Sequence, residues 1–239
     1  MQPCKFTPEN DICVDEMTSL HLAIDTSTAR PLVAIMRGNE LLADWAGPVG
    51  TVHSETLLAG VDQSLKSAGV SLKDLKFLSC GVGPGMFTGL RVGVATAQFL
   101  ADSLGIQVAP VSSLLAIALS ARSMNFSRVW ALNDAKSGRV YALNLLKSEI
   151  DPSLPPTSGE EVAFQPDALL DKLREGDILI GEGALVYRAH WADRVKEVLL
   201  KPQHVGEIGH ALHLKDALLD PHKVLPRYLK TSEEGQKHL

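Results

Sequence analysis

Cysteine is scarce in this 239-residue chain. Cys4, Cys13 and Cys80 are the only three, an odd number with two of them in a polar leader. That excludes a disulfide framework and points to a reducing cytoplasm. No segment reaches the roughly eighteen consecutive apolar residues of a membrane span; the helix expected from Phe87 to Leu104 is broken by Arg91, Gln98 and Asp102. Basic charge is not in excess either, with 23 Lys and Arg against 28 Asp and Glu, a net charge of -5 and a pI near 5.9. Such a balance does not suit a chain that grips nucleic acid alone through a broad basic surface, so any RNA role would need a partner. Residues 1 to 19 lack the basic start and apolar core of a signal peptide. With Met17 just before the first strand, they read as a flexible leader or the product of an upstream start codon. What the chain does have is 45% hydrophobic residues, enough to bury the core of one large or two small domains.

The most informative stretch runs from Cys80 to Gly93, Cys-Gly-Val-Gly-Pro-Gly-Met-Phe-Thr-Gly-Leu-Arg-Val-Gly. It ends a strand, turns on glycines and opens a helix. It lacks the Lys and Ser/Thr that a phosphate loop needs after its last glycine, since Leu90 and Arg91 follow Gly89. It also lacks the third glycine of a dinucleotide fingerprint: the sixth place is Met86 counted from Gly81 and Thr88 counted from Gly83. Gly89, Gly93, Ala97 and Ala101 recur every fourth residue, so one helix face is smooth enough for another backbone to approach. Gly83, Pro84, Gly85, Thr88, Gly89 and Arg91 are therefore candidates for a structural or binding loop, with Arg91 expected to pair with an acidic side chain near the helix start.

Around this block the elements follow in order. Leu20–Ile24, Leu32–Met36 and Glu40–Trp45 read as a three-strand meander, and Ser54–Ala68 as an amphipathic helix stopped by Gly69. After the Phe87 helix, Ile106–Val111 reads as a strand and Leu114–Ala121 as a helix capped by Ser112 or Ser113. A second series begins with strands Val129–Leu132 and Arg139–Leu146 about the turn Asp134 to Gly138. It continues with Glu161–Phe164, a helix from Asp167 to Leu173, Ile178–Ile180 and a last helix near Val205–Leu218. The second half echoes the first in topology.

Nucleophile and metal patterns are weak. Ser112-Ser113 sits in no Gly-x-Ser-x-Gly elbow, and Cys80 has no evident His partner. His204, His210, His213 and His222 cluster in sequence without a His-Glu-x-x-His arrangement, and a solvated helix face is the expected setting.

Four blocks carry a family resemblance: Leu22 to Thr28, His53-Ser54-Glu55 with Leu57-Leu58, Gly83 to Gly93, and Val111 to Leu114. Together with Asp134-Ala135-Lys136 and Pro226-Arg227-Tyr228-Leu229, they make the chain resemble the bacterial TsaB (YeaZ) family over most of residues 20 to 230. The second half matches less well, and a Lys stands where the family usually has Arg. The resemblance implies an α/β, two-lobed fold of the actin, Hsp70 and sugar-kinase class, each lobe on an RNase-H-like mixed sheet. The expected divisions are a leader at 1–19, a first lobe at 20–121, a second at 122–230 whose last helix packs back on the first, and a tail at 231–239. It also implies a non-catalytic, cytoplasmic role beside the catalytic subunit TsaD. The reaction is threonylcarbamoyl modification of adenosine 37 in tRNAs that read codons beginning with A.

Further partners implied are the small ATPase TsaE, a second copy of the chain when alone, and tRNA through the complex. The family surface for pairing would be the first helix, here His53, Glu55, Leu57, Leu58, Val61 and Leu65. Asp25, Thr26 and Ser27 and, in the second lobe, Asp134 stand where kinases of this class hold phosphates and metal. Neither turn has a close-approach glycine beside its Asp, and Gly181-Glu182-Gly183 carries a bulky Glu where an adenine loop would be tight. Both phosphate loops therefore read as degenerate, with the Asp side chains fixing turns through local backbone bonds, and no cofactor or metal is expected. The alternatives are an autonomous ATPase or kinase of the same fold and, further off, a metallopeptidase.

Overall fold

The computed structural model describes residues 6–7, 10–13, 17–150 and 155–229. Within the expected leader the backbone pairs β1 (Phe6–Thr7) with β2 (Asn10–Cys13); the rest of 1–16 and the expected tail lie outside the described residues. The first lobe is a five-stranded sheet of β3 (Leu20–Asp25), β4 (Leu32–Arg37), β5 (Glu40–Ala46), β6 (Phe77–Gly83) and β7 (Gln107–Ser112), in the order β5-β4-β3-β6-β7. The meander pairs antiparallel and β3-β6-β7 pair parallel. The second sheet, β8 (Arg128–Lys136), β9 (Arg139–Leu146), β10 (Glu161–Phe164) and β11 (Asp177–Ile180), runs β10-β9-β8-β11. Its β8-β9 and β9-β10 pairs are antiparallel and β8-β11 is parallel, so it repeats the first sheet less one strand. The two mixed sheets with their helices are the α/β class expected.

Side chains alternate across the first sheet with the two-residue period of a strand. Leu22, Ile24, Val33 and Ile35 face α1 (His53–Ala68) and α2 (Phe87–Leu104), whereas Ala23, Ala34 and Met36 face the other way. On that side lie α3 (Ser113–Leu119) and α7 (Pro202–Leu214), and beyond them one face of the second sheet, with Val129, Ala131, Leu143 and Ile178. The outer face of the second sheet packs Trp130, Leu132 and Leu179 on α4 (Pro166–Leu170), α5 (Glu182–Val186) and α6 (Arg188–Trp191) through Leu169, Ala184 and Trp191. Helices and sheets thus alternate in five layers, and α3 and α7 form the middle one. Every residue of α3 is buried, as a helix covered on all sides must be. Its Ser112 cap is as expected, with Ser112 Oγ accepting the Leu115 N–H at 3.2 Å.

The small-residue face of α2 meets the turn after β3. A Cβ added to Gly89 would stand 2.2 Å from the Thr26 carbonyl oxygen, and one on Gly93 would stand 2.1 Å from Thr26 Oγ1. Thr26 Oγ1 donates to Gly89 O at 2.8 Å, so the close approach is also a hydrogen bond. Among the described residues no helix is long and apolar enough to cross a membrane.

The last helix differs from expectation. It starts at Pro202, which suits the first turn of a helix, and ends at Leu214. Two of its histidines are not solvated: His204 and His210 are buried, because α7 lies between two sheets, while His213 is half-buried. His21 of β3 stacks on Phe77 at 4.3 Å and on His210 at 6.0 Å, and Phe77 stacks on His213 at 4.5 Å. His21 Nε2–H donates to Gly38 O at 3.0 Å and Nδ1 accepts from Ser79 Oγ at 3.2 Å, which fixes a neutral ring. His204 Nδ1 lies 3.3 Å from Glu207, which holds Arg122 in a two-point ion pair at 2.6 and 2.9 Å. This pair ties α7 to the end of α3.

Burial pushes His21 down to about 3, against an upward pull from Gly38 O, with His210 and His213 pushing it down further. Burial and His213 push His210 down to about 4. Both rings stay neutral when folded and gain protons near pH 6.5 when unfolded, so their stabilising effect is complete above about pH 6.5 and is lost as pH falls. The unfolding free energy in urea is expected to fall by up to about 4 kcal/mol between pH 6.5 and 5, from about 1.4 kcal/mol per pH unit for each histidine. The slope in His21→Asn should be about half as steep. Superimposable pH profiles would contradict the assignment.

Candidate functional site

The two lobes meet where Asp25 ends β3 and the following turn faces the second sheet. The Asp25 side chain is 1% exposed. Its Oδ1 accepts the Ser27 N–H at 2.7 Å and its Oδ2 accepts from Ser113 Oγ at 2.6 Å, while Ser113 Oγ in turn accepts the Gly83 N–H at 3.2 Å. Behind it lies Gly81, where a Cβ would come within 1.9 Å of Oδ2. The neighbouring strand must therefore carry no side chain at that point. Burial pushes the carboxyl above its usual range, and the Ser113 and Ser27 bonds and nearby His53 pull it partly back. Both oxygens are engaged inside the fold, and this donor set does not fit a hard cation that collects six or more oxygens.

From the second lobe, Asn133 near the end of β8 donates through Nδ2 to Pro84 O at 2.9 Å and lies 3.4 Å from Ser27 Oγ. Glu182, the first residue of α5, receives the Ala29 N–H on both carboxylate oxygens at 3.0 Å. Burial pushes its pKa up, Ala29 and Lys136 pull it down, and Asp134 and Asp25 add to the rise. Glu161 of β10 accepts a short bond from Ser112 Oγ and pairs with Arg227 at 2.9 Å. The Arg227 N–H donates to Val82 O at 2.7 Å, so the last described segment straps the end of β6. Asp134 is satisfied within its own turn, accepting the Lys136 N–H at 2.8 Å and pairing with Lys136 Nζ at 2.7 Å. The same pair holds the Lys136 ammonium above its ordinary value.

The glycine block meets the first turn from the side. Gly83 and Pro84 are bonded as above, and Gly85 packs on Ser27, whose carbonyl accepts the Met86 N–H at 2.8 Å. Thr88 is exposed. Arg91 departs from expectation: among the described residues no acidic side chain pairs with it, and its Nε donates to Tyr228 Oη at 3.2 Å while the guanidinium lies 3.9 Å over the Phe87 ring. Tyr228 of the strap and the Phe87 ring of the same helix, rather than a carboxylate, meet the guanidinium.

The expected pairing surface needs a larger correction. His53, Leu57, Val61 and Leu65 are buried against the chain's own first sheet, because they occupy the inward stripe of α1. Glu55 and Leu58 alone of that set point outward, Leu58 being 53% exposed. Beside them α2 presents Phe87, Arg91, Ala95 and Phe99 at four-residue spacing on its exposed face, with Phe99 68% exposed. The reading from sequence passed over Phe99, Asn133, Glu161 and the role of Arg227. Only Arg227 lay in a motif that could have drawn attention; for the others the signal is their position in the folded layers.

Asp25→Asn retains an acceptor for Ser27 and is expected to unfold in urea within about 1 kcal/mol of the unchanged chain, because the neutral carboxyl is the form that burial favours. Asp25→Ala leaves Ser27 N–H and Ser113 Oγ–H unpaired and should lose about 2–3 kcal/mol. Equal losses in the two variants would count against this account of the turn.

A family model described as "TsaD: tRNA N6-adenosine threonylcarbamoyltransferase" matches residues 49–161. The Escherichia coli protein named "tRNA threonylcarbamoyladenosine biosynthesis protein TsaB" is 37% identical over 121 residues, which are 50% of this chain and 52% of that protein. The Bacillus subtilis protein of the same name is 27% identical over 227 residues, 90% of this chain and 96% of that protein. The match thus spans about half the length of the Escherichia coli relative and nearly all of the Bacillus one. Among solved structures, "YeaZ from Pseudomonas aeruginosa" superposes with a TM-score of 0.75 at 25% identity, covering 88% of this chain and all of that one. Another Pseudomonas aeruginosa structure, described as similar to peptidase YeaZ, gives a TM-score of 0.76 at 25% identity over 89% of this chain.

Proposed function

We propose that this chain, similar over most of its length to TsaB (YeaZ) proteins, is a non-catalytic partner of a TsaD-type subunit in forming threonylcarbamoyladenosine at position 37 of tRNA. The observation that carries the reading is the closed state of the interlobe cleft. Asp25 is enclosed by Ser27, Ser113 and Gly81, and the Ala29 N–H is taken by Glu182. An autonomous ATPase or kinase needs those same groups free to meet phosphates and metal. A peptidase reading finds little support. Cys80 is fully buried, and burial together with Asp25 drives its thiol far up, away from the thiolate a nucleophile needs. Among the described residues, no group of three or more His, Cys, Asp or Glu could hold a metal ion.

With the cleft closed, the useful product of the fold is surface. We assign the partner contact to the outer face of α1 and α2, centred on Leu58 and Phe99 with Phe87 and Glu55 at its margin. Exposed apolar side chains flanked by charge, on two helices held side by side on a sheet, suit a helical partner face. A TsaD-type subunit occupies this face in the complex and a second copy occupies it when the chain is alone. TsaE and tRNA join through the assembly.

The test mixes the purified chain with a TsaD-type subunit on a sizing column and repeats the run with Leu58→Asp and Phe99→Asp. A complex is expected from the unchanged chain, and each variant should weaken it tenfold or more, about 1.4 kcal/mol or above. Thermal midpoints should stay within about 2 °C of the unchanged chain, because both side chains are exposed. Absence of a complex, or a complex indifferent to both changes, would overturn the reading.

A further inference from the structure

Glu182 is the side chain of the second lobe that reaches the backbone of the turn after β3, and its place is set by backbone contact rather than by side-chain length alone. It is flanked by Gly181, at φ 95°, where a Cβ would stand 2.3 Å from Leu132 O, and by Gly183, where one would stand 2.8 Å from the Asn133 carbonyl carbon. Small residues there let the start of α5 press onto the end of β8, one residue from the Asn133 bond that crosses to Pro84. The carboxylate then meets the Ala29 N–H with both oxygens at 3.0 Å. Bonds from an N–H to an ionised carboxylate are stronger than neutral ones. Lys136, Asp134 and Tyr187 border the same place from the β8-β9 turn and the end of α5. Glu182 is only partly buried, so solutes can reach the position.

From this geometry we infer that the turn at Ala29 is a seat for a small oxyanion and that the chain fills it in cis with the Glu182 carboxylate, latching the second lobe to the first. The seat takes one carboxylate group, with Ala29 N–H as donor and the Lys136 ammonium as nearby countercharge. Emptied of Glu182, it accepts a small carboxylate from solution, as a cavity that has lost its own anion does when the missing group is offered back. The inference rests in part on the closed cleft of the proposed function, but its test needs no second subunit: failure here removes the Glu182 contact alone, whereas the partner reading stands or falls by the sizing-column result.

The test compares the unchanged chain, Glu182→Ala and Glu182→Gln by thermal unfolding in sodium acetate and in sodium chloride of matched ionic strength. Glu182→Ala should melt about 2–4 °C lower in chloride, with at least half of that loss recovered in acetate along a saturable curve. The unchanged chain and Glu182→Gln, which still presents an acceptor, should respond no more to acetate than to chloride. A Glu182→Ala chain that melts like the unchanged one, or that gains nothing from acetate beyond the chloride control, overturns the inference. Should Glu182→Ala not accumulate as folded protein, amide hydrogen exchange in Glu182→Asp reads the same bond. The shortened side chain should speed exchange at Ala29 at least tenfold while Gly47, bonded to Pro31 O in the same hairpin, exchanges as before. Unchanged protection at Ala29 would likewise overturn the inference.

Discussion

A turn buried between two lobes must have its N–H and carbonyl groups paired, since an unmet one costs about 1–3 kcal/mol. At Thr26 to Ala29 the partners come from the adjoining Asp25 and from two distant segments, Met86 to Gly89 and Glu182. Asp25 takes the Ser27 N–H, α2 brings Gly89 O to Thr26 Oγ1, Met86 donates to Ser27 O, and Glu182 takes the Ala29 N–H. Asn133 completes the junction by reaching Pro84 and Ser27. Small side chains at Gly81, Gly89 and Gly93 follow from this constraint, because each stands where a Cβ would strike Asp25 or Thr26. The same constraint occupies the cleft: among the described residues, the Asp25 carboxylate and the Ser27 and Ala29 N–H groups already have partners within the chain.

The layered architecture carries the constraint outward. Because α3 and α7 serve both sheets at once, neither lobe has a core complete without the other. The Arg122–Glu207 pair, the Glu161–Arg227 pair and the stacked His21, Phe77 and His213 rings fasten the same middle region. Lobes that share a helical layer and are bonded across the cleft are poorly suited to the hinge closure by which two-lobed enzymes enclose a substrate. They are suited to presenting a stable outer surface, and α1 and α2 lie on the face of the first sheet turned away from the second, with α2 bordered by the strap at Val224 and Tyr228.

Much of this was legible in the sequence. The alternation in Leu22-Ala23-Ile24 and Val33-Ala34-Ile35 gives the strand period, and Gly69 and Gly105 mark the helix ends that the structure shows at those residues. The four-residue stripe of Gly89 and Gly93 announces a close approach, although not which backbone approaches. Local turn bonds at Asp25 and Asp134 also follow from residue type. The histidines of α7 were misjudged because a polar residue on a short helix usually faces water, and only the arrangement of layers reveals that this helix has no outer side. The inward stripe of α1 could not be told from an interface stripe by periodicity, since both are apolar at the same spacing. Bonds such as Asn133 to Pro84 and Glu182 to Ala29 join residues 49 and 153 positions apart, a pairing that no local pattern encodes.

The central claim, that the cleft of this chain is filled by its own side chains, is tested most directly by calorimetric titration of the purified chain alone with magnesium and ATP to millimolar concentration. The account predicts heats no larger than dilution. A saturable, magnesium-dependent heat that disappears in Asp25→Asn would contradict it.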